Sequence, residues 1–329
     1  MIVAASIINL TICFAVPLLL VALGGMYSER SGVINIALDG IMIIGALISC
    51  LALQMFDNAG WGETHPQLAV LISCLIAGAS GMIFSLLLAF AAINLKADQT
   101  IGGTALNTFA PAFAVVLAWA VQGKGHTDIS IPKWTRITPE ALGITGSVKE
   151  SVLANLFKKF YITVPIAIVL LAVAWFVLYR TRFGLRLRSC GEHPQAAASV
   201  GISVYKMRYS GVMISGFLGG LGGLAYVLVA GSSFSGDVGG YGFLALAVMI
   251  FGNWNPGRIL FSALFFALFK VVGTSYTMIP FLPKFPEIKE FAKIYNLLPY
   301  VVTLLVLIFT SKRSRAPKAE GIPYDKGMR

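Results

Sequence analysis

The sequence predicts an all-α integral membrane protein of about nine transmembrane helices, with broken or re-entrant segments at two places. Of its 329 residues, 57% are hydrophobic and only 12% charged, and the mean hydropathy is +0.82. Long, nearly uncharged runs recur along the whole chain, each close to the ~20 residues that a helix needs to cross the hydrocarbon layer. Backbone groups in lipid must be satisfied within the segment, and runs of this length do so as helices rather than as barrel strands.

Taken in order, the first span runs from Ile2 to Leu23 and is expected to end at Gly24-Gly25. It lacks the basic flank and small-residue cleavage pattern of a signal peptide, so it counts as a span. Met26 to Gly32 then place charge and turn residues ahead of a second apolar run, Val33 to Leu53, which opens with Asn35 and carries Asp39. Gln67 to Ile93, Ile101 to Val121 and Tyr161 to Tyr179 are each long enough to cross with some tilt. Tyr209 to Ala230 is unusually rich in glycine, which lets another helix backbone approach closely. Gly231 to Tyr241 is polar, and Gly242 to Phe251 is too short to cross, so this region reads as broken or re-entrant, its backbone facing protein or water. After a turn at Asn253 to Gly257, the chain crosses from Ile259 to Ile279 and from Tyr295 to Thr310. The two polar interruptions, Glu29 to Asp39 and Ser232 to Tyr241, occupy comparable positions in the two halves. Such pairing fits an inverted repeat whose broken helices meet near the bilayer midplane.

The net charge of +11 suits membrane orientation better than nucleic acid, because the basic residues sit in loops and in the tail between apolar spans. Six of them lie between Arg180 and Arg208, around the turn Gly191-Glu192-His193-Pro194 and a short Ala-rich helix expected from Gln195 to Val200. Basic loops stay on the cytoplasmic side. With that loop and the tail inside, fifteen Lys and Arg face the cytoplasm, nine face outward in the loops Gly123 to Phe160 and Pro280 to Ile294, and the N-terminus lies outside. The organisation is therefore one transmembrane domain over 1–311, a docking loop over 180–208 within it, and a basic cytoplasmic tail over 312–329. Pro194 suits the first helical turn, Glu192 the dipole at its start, and the alanines the helix itself. The alternative for this loop is an ordinary solvated basic turn. Cys13, Cys50, Cys74 and Cys190 show no disulfide or metal spacing. No phosphate-loop motif is present, so energy would come from another protein. His65, His126 and His193 are scattered through loops, which disfavours an enzyme.

Glu29-Arg30-Ser31-Gly32-Val33-Ile34-Asn35-Ile36-Ala37-Leu38-Asp39-Gly40 resembles a hallmark of the permeases of nucleoside and simple-sugar ABC importers, within the wider ribose and branched-chain amino acid permease family. Three more segments match: Leu95 to Ile101, Gly191-Glu192-His193-Pro194 with the following alanines and Gly201-Ile202, and Ile250 to Pro256. The resemblance covers nearly the whole chain. Asp39 stands where the family commonly has Glu, Asp98 where it has Asn, and His193 where it often has Asn. The resemblance implies alternating-access transport of a nucleoside, a purine nucleoside first, or of a simple sugar such as ribose. It also implies partners: a cytoplasmic ABC ATPase that binds the ATP, a second permease subunit, identical or homologous, and an external solute-binding protein or lipoprotein at a bacterial inner membrane. On that reading Gly191, Glu192, His193, Pro194, Ala196 and Ala197 couple to the ATPase.

Asn35 and Asp39, four residues apart, are expected to share a helix face and to offer an amide and a carboxylate to the solute. The alternative is that Asp39 caps or pairs with Arg30 to stabilise the broken helix. Gln99, Asn107 and Thr108 are pathway candidates or interhelical glue; Asp237 and Tyr241 are pathway candidates from the second broken segment or exposed loop residues. Lys270, inside an apolar span, is expected to snorkel, to pair, or to meet water. A transporter of another class, coupled to protons or sodium through Asp39 or Asp237, is the competing reading.

Overall fold

The computed structural model describes residues 2–123, 125, 127–137, 160–231, 233–276, 291–310 and 315–327. His126 and most of the two outward loops expected over 123–160 and 280–294 lie outside these residues. The described chain forms α1 (Ile2–Arg30), α2 (Leu38–Asn58), α3 (Trp61–Thr64), α4 (Pro66–Ala89), α5 (Gln99–Gln122), α6 (Thr163–Arg180), α7 (Arg182–Glu192), α8 (Pro194–Ser199), α9 (Val204–Ala230), α10 (Tyr241–Phe251), α11 (Pro256–Thr274) and α12 (Phe291–Thr310). Seven of these helices are long and apolar enough to cross a membrane, and α10 and Leu297–Val306 within α12 are shorter apolar helices, so all nine expected positions hold apolar helix. The strands β1 (Ile129–Ser130) and β2 (Ser233–Phe234) pair antiparallel, with Ile129 opposite Phe234.

The termini follow local chemistry. Asp98 caps α5 by accepting from the Thr100 and Ile101 amides at 2.8 and 3.0 Å, and Asn255 caps α11 through the Gly257 and Arg258 amides. Pro66, Pro194 and Pro256 open α4, α8 and α11, where a missing N–H costs nothing.

Three expected boundaries move. Gly24 and Gly25 do not end α1, which continues to Arg30; instead, Gly24 admits α9, whose Ser215 carbonyl would lie 2.9 Å from a Cβ there, and Gly25 admits the side chains of Met249 and Leu38. The second span begins at Leu38, not Val33, because residues 33–37 are held open by side chains from other helices, described below. In turn α9 starts at Val204, so Lys206 and Arg208 belong to its first turns, and Arg208 is buried rather than a loop charge.

The glycine-rich helix α9 is the central element and packs against α1, α2 and α4. A Cβ at Gly220 would collide with the Ala77 carbonyl of α4, and one at Gly223 with the Met42 carbonyl of α2. In lipid no hydrophobic force drives helices together, so such close backbone approach, gaining dispersion over long contacts, is how the bundle coheres. Around this centre, α5 and α6 keep much of their surface outward-facing.

Candidate functional site

The segment between α1 and α2 is not helical, and several of its polar groups are met from neighbouring helices. Ser28 Oγ donates to the Val33 carbonyl at 2.7 Å. The Ile34 amide donates to Gln99 Oε1 at 2.7 Å, and Asn35 Nδ2 donates to Ser215 Oγ at 2.8 Å. Asn107 closes the segment from α5: its Nδ2 donates to the Ile36 carbonyl and its Oδ1 accepts from the Gly40 amide, both at 2.8 Å. Asn35 therefore precedes the helix and does not share a face with Asp39, because the chain becomes helical only at Leu38.

Asp39 lies in the first turn of α2, buried, and its Oδ1 accepts from the Gly242 amide at 2.8 Å in the first turn of α10. The first turns of α2 and α10 thus meet at one carboxylate. Each terminus carries about half a positive charge, which stabilises an anion there without a cationic partner. Arg30 is not that partner; its Nη2 donates to the Trp254 carbonyl at 3.1 Å. The 11 residues of α10 rise about 16 Å, only about half of a ~30 Å hydrocarbon layer.

Aromatic groups gather beside this junction. The rings of Tyr226 and Tyr241 are 4.4 Å apart, Lys270 Nζ is 5.6 Å from the Tyr241 centroid, and Tyr300 Oη donates to the Gly239 carbonyl at 3.0 Å. Lys270 thus rests on a ring face within the bundle instead of snorkelling outward. Asp237 is exposed and accepts from the Gly239 amide, shaping its own turn. A cavity of about 170 Å³ opens here, with Tyr226, Ser233, Asp237 and Gly239 among its lining. Among the described residues, Asn35 Oδ1, Gln99 Nε2 and Tyr241 Oη are buried without a protein partner, leaving acceptors and donors available along the broken segments.

At one end of the bundle, α7 and α8 form an elbow at His193, with Pro194 at the first position of α8. The expected helix over 195–200 is observed at Pro194–Ser199, and Glu192 ends the preceding helix instead of opening this one. His193, Ala196 and Val200 are exposed, whereas Gly191 and Ala197 are buried. A Cβ at Gly191 would collide with the Arg30 carbonyl, so only glycine lets the elbow seat on the end of α1. A groove of about 290 Å³ along the elbow is lined by Glu192, His193, Ala196, Ala197 and Val200. Beside it, Trp254 Nε1 donates to Glu29 Oε2 at 2.5 Å, and Asn253 and Trp254 take positive φ angles of 51° and 52° to make that turn.

All four sequence segments singled out above therefore converge on residues 29–40: Gln99 from the second, Gly191 from the third and Trp254 from the fourth. Of the candidate pathway residues, Asn35, Asp39, Gln99, Asn107 and Tyr241 gather around the broken segments, with Asn107 wholly engaged as glue. Thr108 is exposed on α5, its hydroxyl donating to the Thr104 carbonyl of its own helix. Sequence reasoning missed Ser215, Tyr226 and Tyr300, which sit in ordinary-looking apolar spans and carry no local signal.

The geometry can be set beside known proteins. A family model described as the branched-chain amino acid transport system / permease component matches residues 7–310. The guanosine ABC transporter permease protein NupQ of Bacillus subtilis is 43% identical over 326 residues, covering 98% of this chain and 97% of that protein. The nucleoside ABC transporter permease protein NupC of Lactococcus lactis is 38% identical, covering 95% and 94%. A putative glucose ABC transporter permease protein, TsgC13 of Haloferax volcanii, is 29% identical over 99% of both chains. No solved structure gives a significant match. With a match along almost its whole length and an all-helical membrane bundle behind it, the chain belongs to the branched-chain amino acid transport system permease family.

Proposed function

We propose that the chain is one permease subunit of an ATP-driven importer that carries a nucleoside, a purine nucleoside first, across a bacterial inner membrane by alternating access. The observation that carries the reading is the relation to NupQ and NupC at 43% and 38% identity over nearly the full length. A second subunit, identical or homologous, completes the route, and an external solute-binding protein delivers the solute. ATP is bound by a cytoplasmic ATPase that docks on the elbow around Glu192, His193, Pro194, Ala196 and Ala197, so the chain itself performs no catalysis. The elbow and the C-terminal tail then face the cytoplasm and the N-terminus lies outside.

The geometry supports this division of labour. Asp39, Asn35 and Gln99 line or flank the junction of the two broken helices, and a nucleoside offers ribose hydroxyls and base edges that suit an amide, a carboxylate and a tyrosine ring. The route needs few tight contacts because selection falls to the external protein. A simple sugar is the second reading, favoured by the likeness to TsgC13.

The test is uptake of labelled guanosine into vesicles that hold the whole complex, with ATP inside and an uncoupler present. Uptake that follows ATP, survives the uncoupler and is displaced by excess adenosine but not by ribose supports the proposal. Collapse with the ion gradient overturns it in favour of ion coupling, and displacement by ribose alone moves the substrate to the sugar class.

A further inference from the structure

The C-terminal segment 315–327 does not hang free. It runs across the end of the bundle that bears the elbow and is tied down at several points. The Arg315 amide donates to Asn253 Oδ1 at 3.0 Å, next to the turn that holds Trp254. The Ala319 amide donates to the Gly191 carbonyl at 2.8 Å, bonding the segment directly to the elbow. The Glu320 carboxyl lies beside that of Glu29, which accepts from Trp254 Nε1. Arg208, buried in the first turns of α9, donates from Nη1 to the Ile322 carbonyl at 2.9 Å. Gln195 Nε2, on α8 itself, donates to the Asp325 carbonyl at 3.0 Å, and the Asp325 carboxylate meets Lys96 Nζ at 2.7 Å.

Side chains reinforce the same path. Tyr324 is buried against Tyr205, ring centroids 5.5 Å apart, and clusters with Cys190, Ala197 and Val204. Ala319 is buried as well. An exposed polar tail has no reason to bury alanine and tyrosine, or to occupy the backbone carbonyl at the exit of α7. These contacts touch both sides of the elbow, α7 at Gly191 and α8 at Gln195 and Ala197, and link it to α1, α9 and the loop before α5.

We propose that residues 315–327 are a strap that positions the elbow, fixing α8 to the ends of α1 and α9 so that force applied to α8 moves the bundle. The functional half of this rests on the ATPase-docking reading above. Ala319, Gln195, Arg208 and Asp325 are positioning residues: they touch neither solute nor nucleotide but set where Gly191 to Ser199 stand. A short helix of six residues is too small to hold its own place, and the strap supplies the restraint that helix propensity does not.

Two variants test the strap in the complete complex: Ala319→Pro, which deletes the N–H bonded to Gly191, and Asp325→Ala with Lys96→Ala, which removes the ion pair near its far end while the Gln195 bond to the Asp325 backbone carbonyl remains. Hydrogen exchange at the amides of 191–199 is read first, on the purified permease. Loss of one net hydrogen bond raises exchange there roughly fivefold, while exchange in α2 and α4 stays as it was. Unchanged exchange at 191–199 in both variants overturns the strap, whatever the partner does. Solute carried per ATP hydrolysed is read second, with ATPase co-purification as the control. A fall with the ATPase still bound supports positioning; normal coupling despite faster exchange overturns it. Glu192→Pro separates the two readings: if that change also leaves coupling normal, the docking assignment fails and the exchange result stands alone.

Discussion

Asn107 offers a sharp test of how the broken segment is held. Its amide bonds the Ile36 carbonyl and the Gly40 amide at 2.8 Å each, on either side of the point where α2 begins. Asn107→Leu keeps the volume and removes both bonds. Measured interhelical hydrogen bonds in membranes average ~0.6 kcal/mol, so two bonds set a floor of about 1 kcal/mol. The ceiling comes from the partners left behind, since an unsatisfied buried backbone group costs about 1–3 kcal/mol. A Cβ at Gly40 would stand 2.9 Å from the Leu106 carbonyl, so α5 and α2 are close enough to leave little room for water to take over. The expected loss is therefore about 2–4 kcal/mol of local stability, read as faster exchange at the Gly40 amide and slower uptake by the complex. Thr108→Val, one position on, serves as the control: Thr108 bonds only its own helix and is exposed, so its change should stay within about 0.5 kcal/mol. If Gly40 exchanges at the wild-type rate in Asn107→Leu, the segment is not held by Asn107 and the account of why α2 starts at Leu38 fails.

Other outcomes follow from the same contacts. Asp39→Leu should lower uptake and loosen the first turn of α10, because the Gly242 amide loses its acceptor; unaltered exchange at Gly242 would count against the junction. Gly191→Val should displace the elbow from the Arg30 carbonyl and abolish coupled transport while leaving membrane insertion intact, checked by uptake beside surface labelling. Burial pushes the Glu320 carboxyl up from its ordinary 4.5 to about 7. A raised carboxyl favours the docked strap fully below about 4.5 and progressively less as pH rises through about 7. Exchange at the Ala319 amide, corrected for intrinsic rates, should therefore quicken between these values, and Glu320→Gln should flatten the profile.

The helical bundle was legible because spans are written in composition, and the nine apolar runs fall where nine apolar helices stand. The helix ends were less so. Gly24 and Gly25 look like a stop when only local propensity is considered, yet α9 approaches at Gly24 and Met249 and Leu38 pack at Gly25, and long-range contact overrides the local cost of glycine. At Val33 to Ala37 the error runs the other way: most of the residues are good helix or strand formers, and contacts from distant positions, Gln99, Asn107 and Ser215, help keep them out of the helix. The elbow was readable to within one residue, because Pro194 and the alanines encode it locally. Tyr226, Tyr300 and the strap were invisible, since nothing in a tyrosine within an apolar run or in a basic tail says what it will touch.

The convergence on residues 29–40 has a mechanical consequence. The end of α1 carries the elbow on its Arg30 carbonyl, and only nine residues later Asp39 receives the N-terminus of α10. Between them the chain is not helical and is pinned at Ile34, Asn35 and Ile36. The other end of α10 leads into Asn253 and Trp254, which return to Glu29 and Arg30. These elements form a closed loop: elbow, α1 terminus, broken segment, Asp39, α10, and back to the elbow's own seat. On the docking reading proposed above, a push at α8 would reach Asp39 by two routes of short, hydrogen-bonded chain, because both routes arrive where the first turns of α2 and α10 meet. Coupling between sites is carried by elements with discrete arrangements, not by distance alone. The junction of the α2 and α10 first turns at Asp39 is suited to such a role, because displacing either leaves a buried backbone amide and a buried carboxyl without a partner at the same moment.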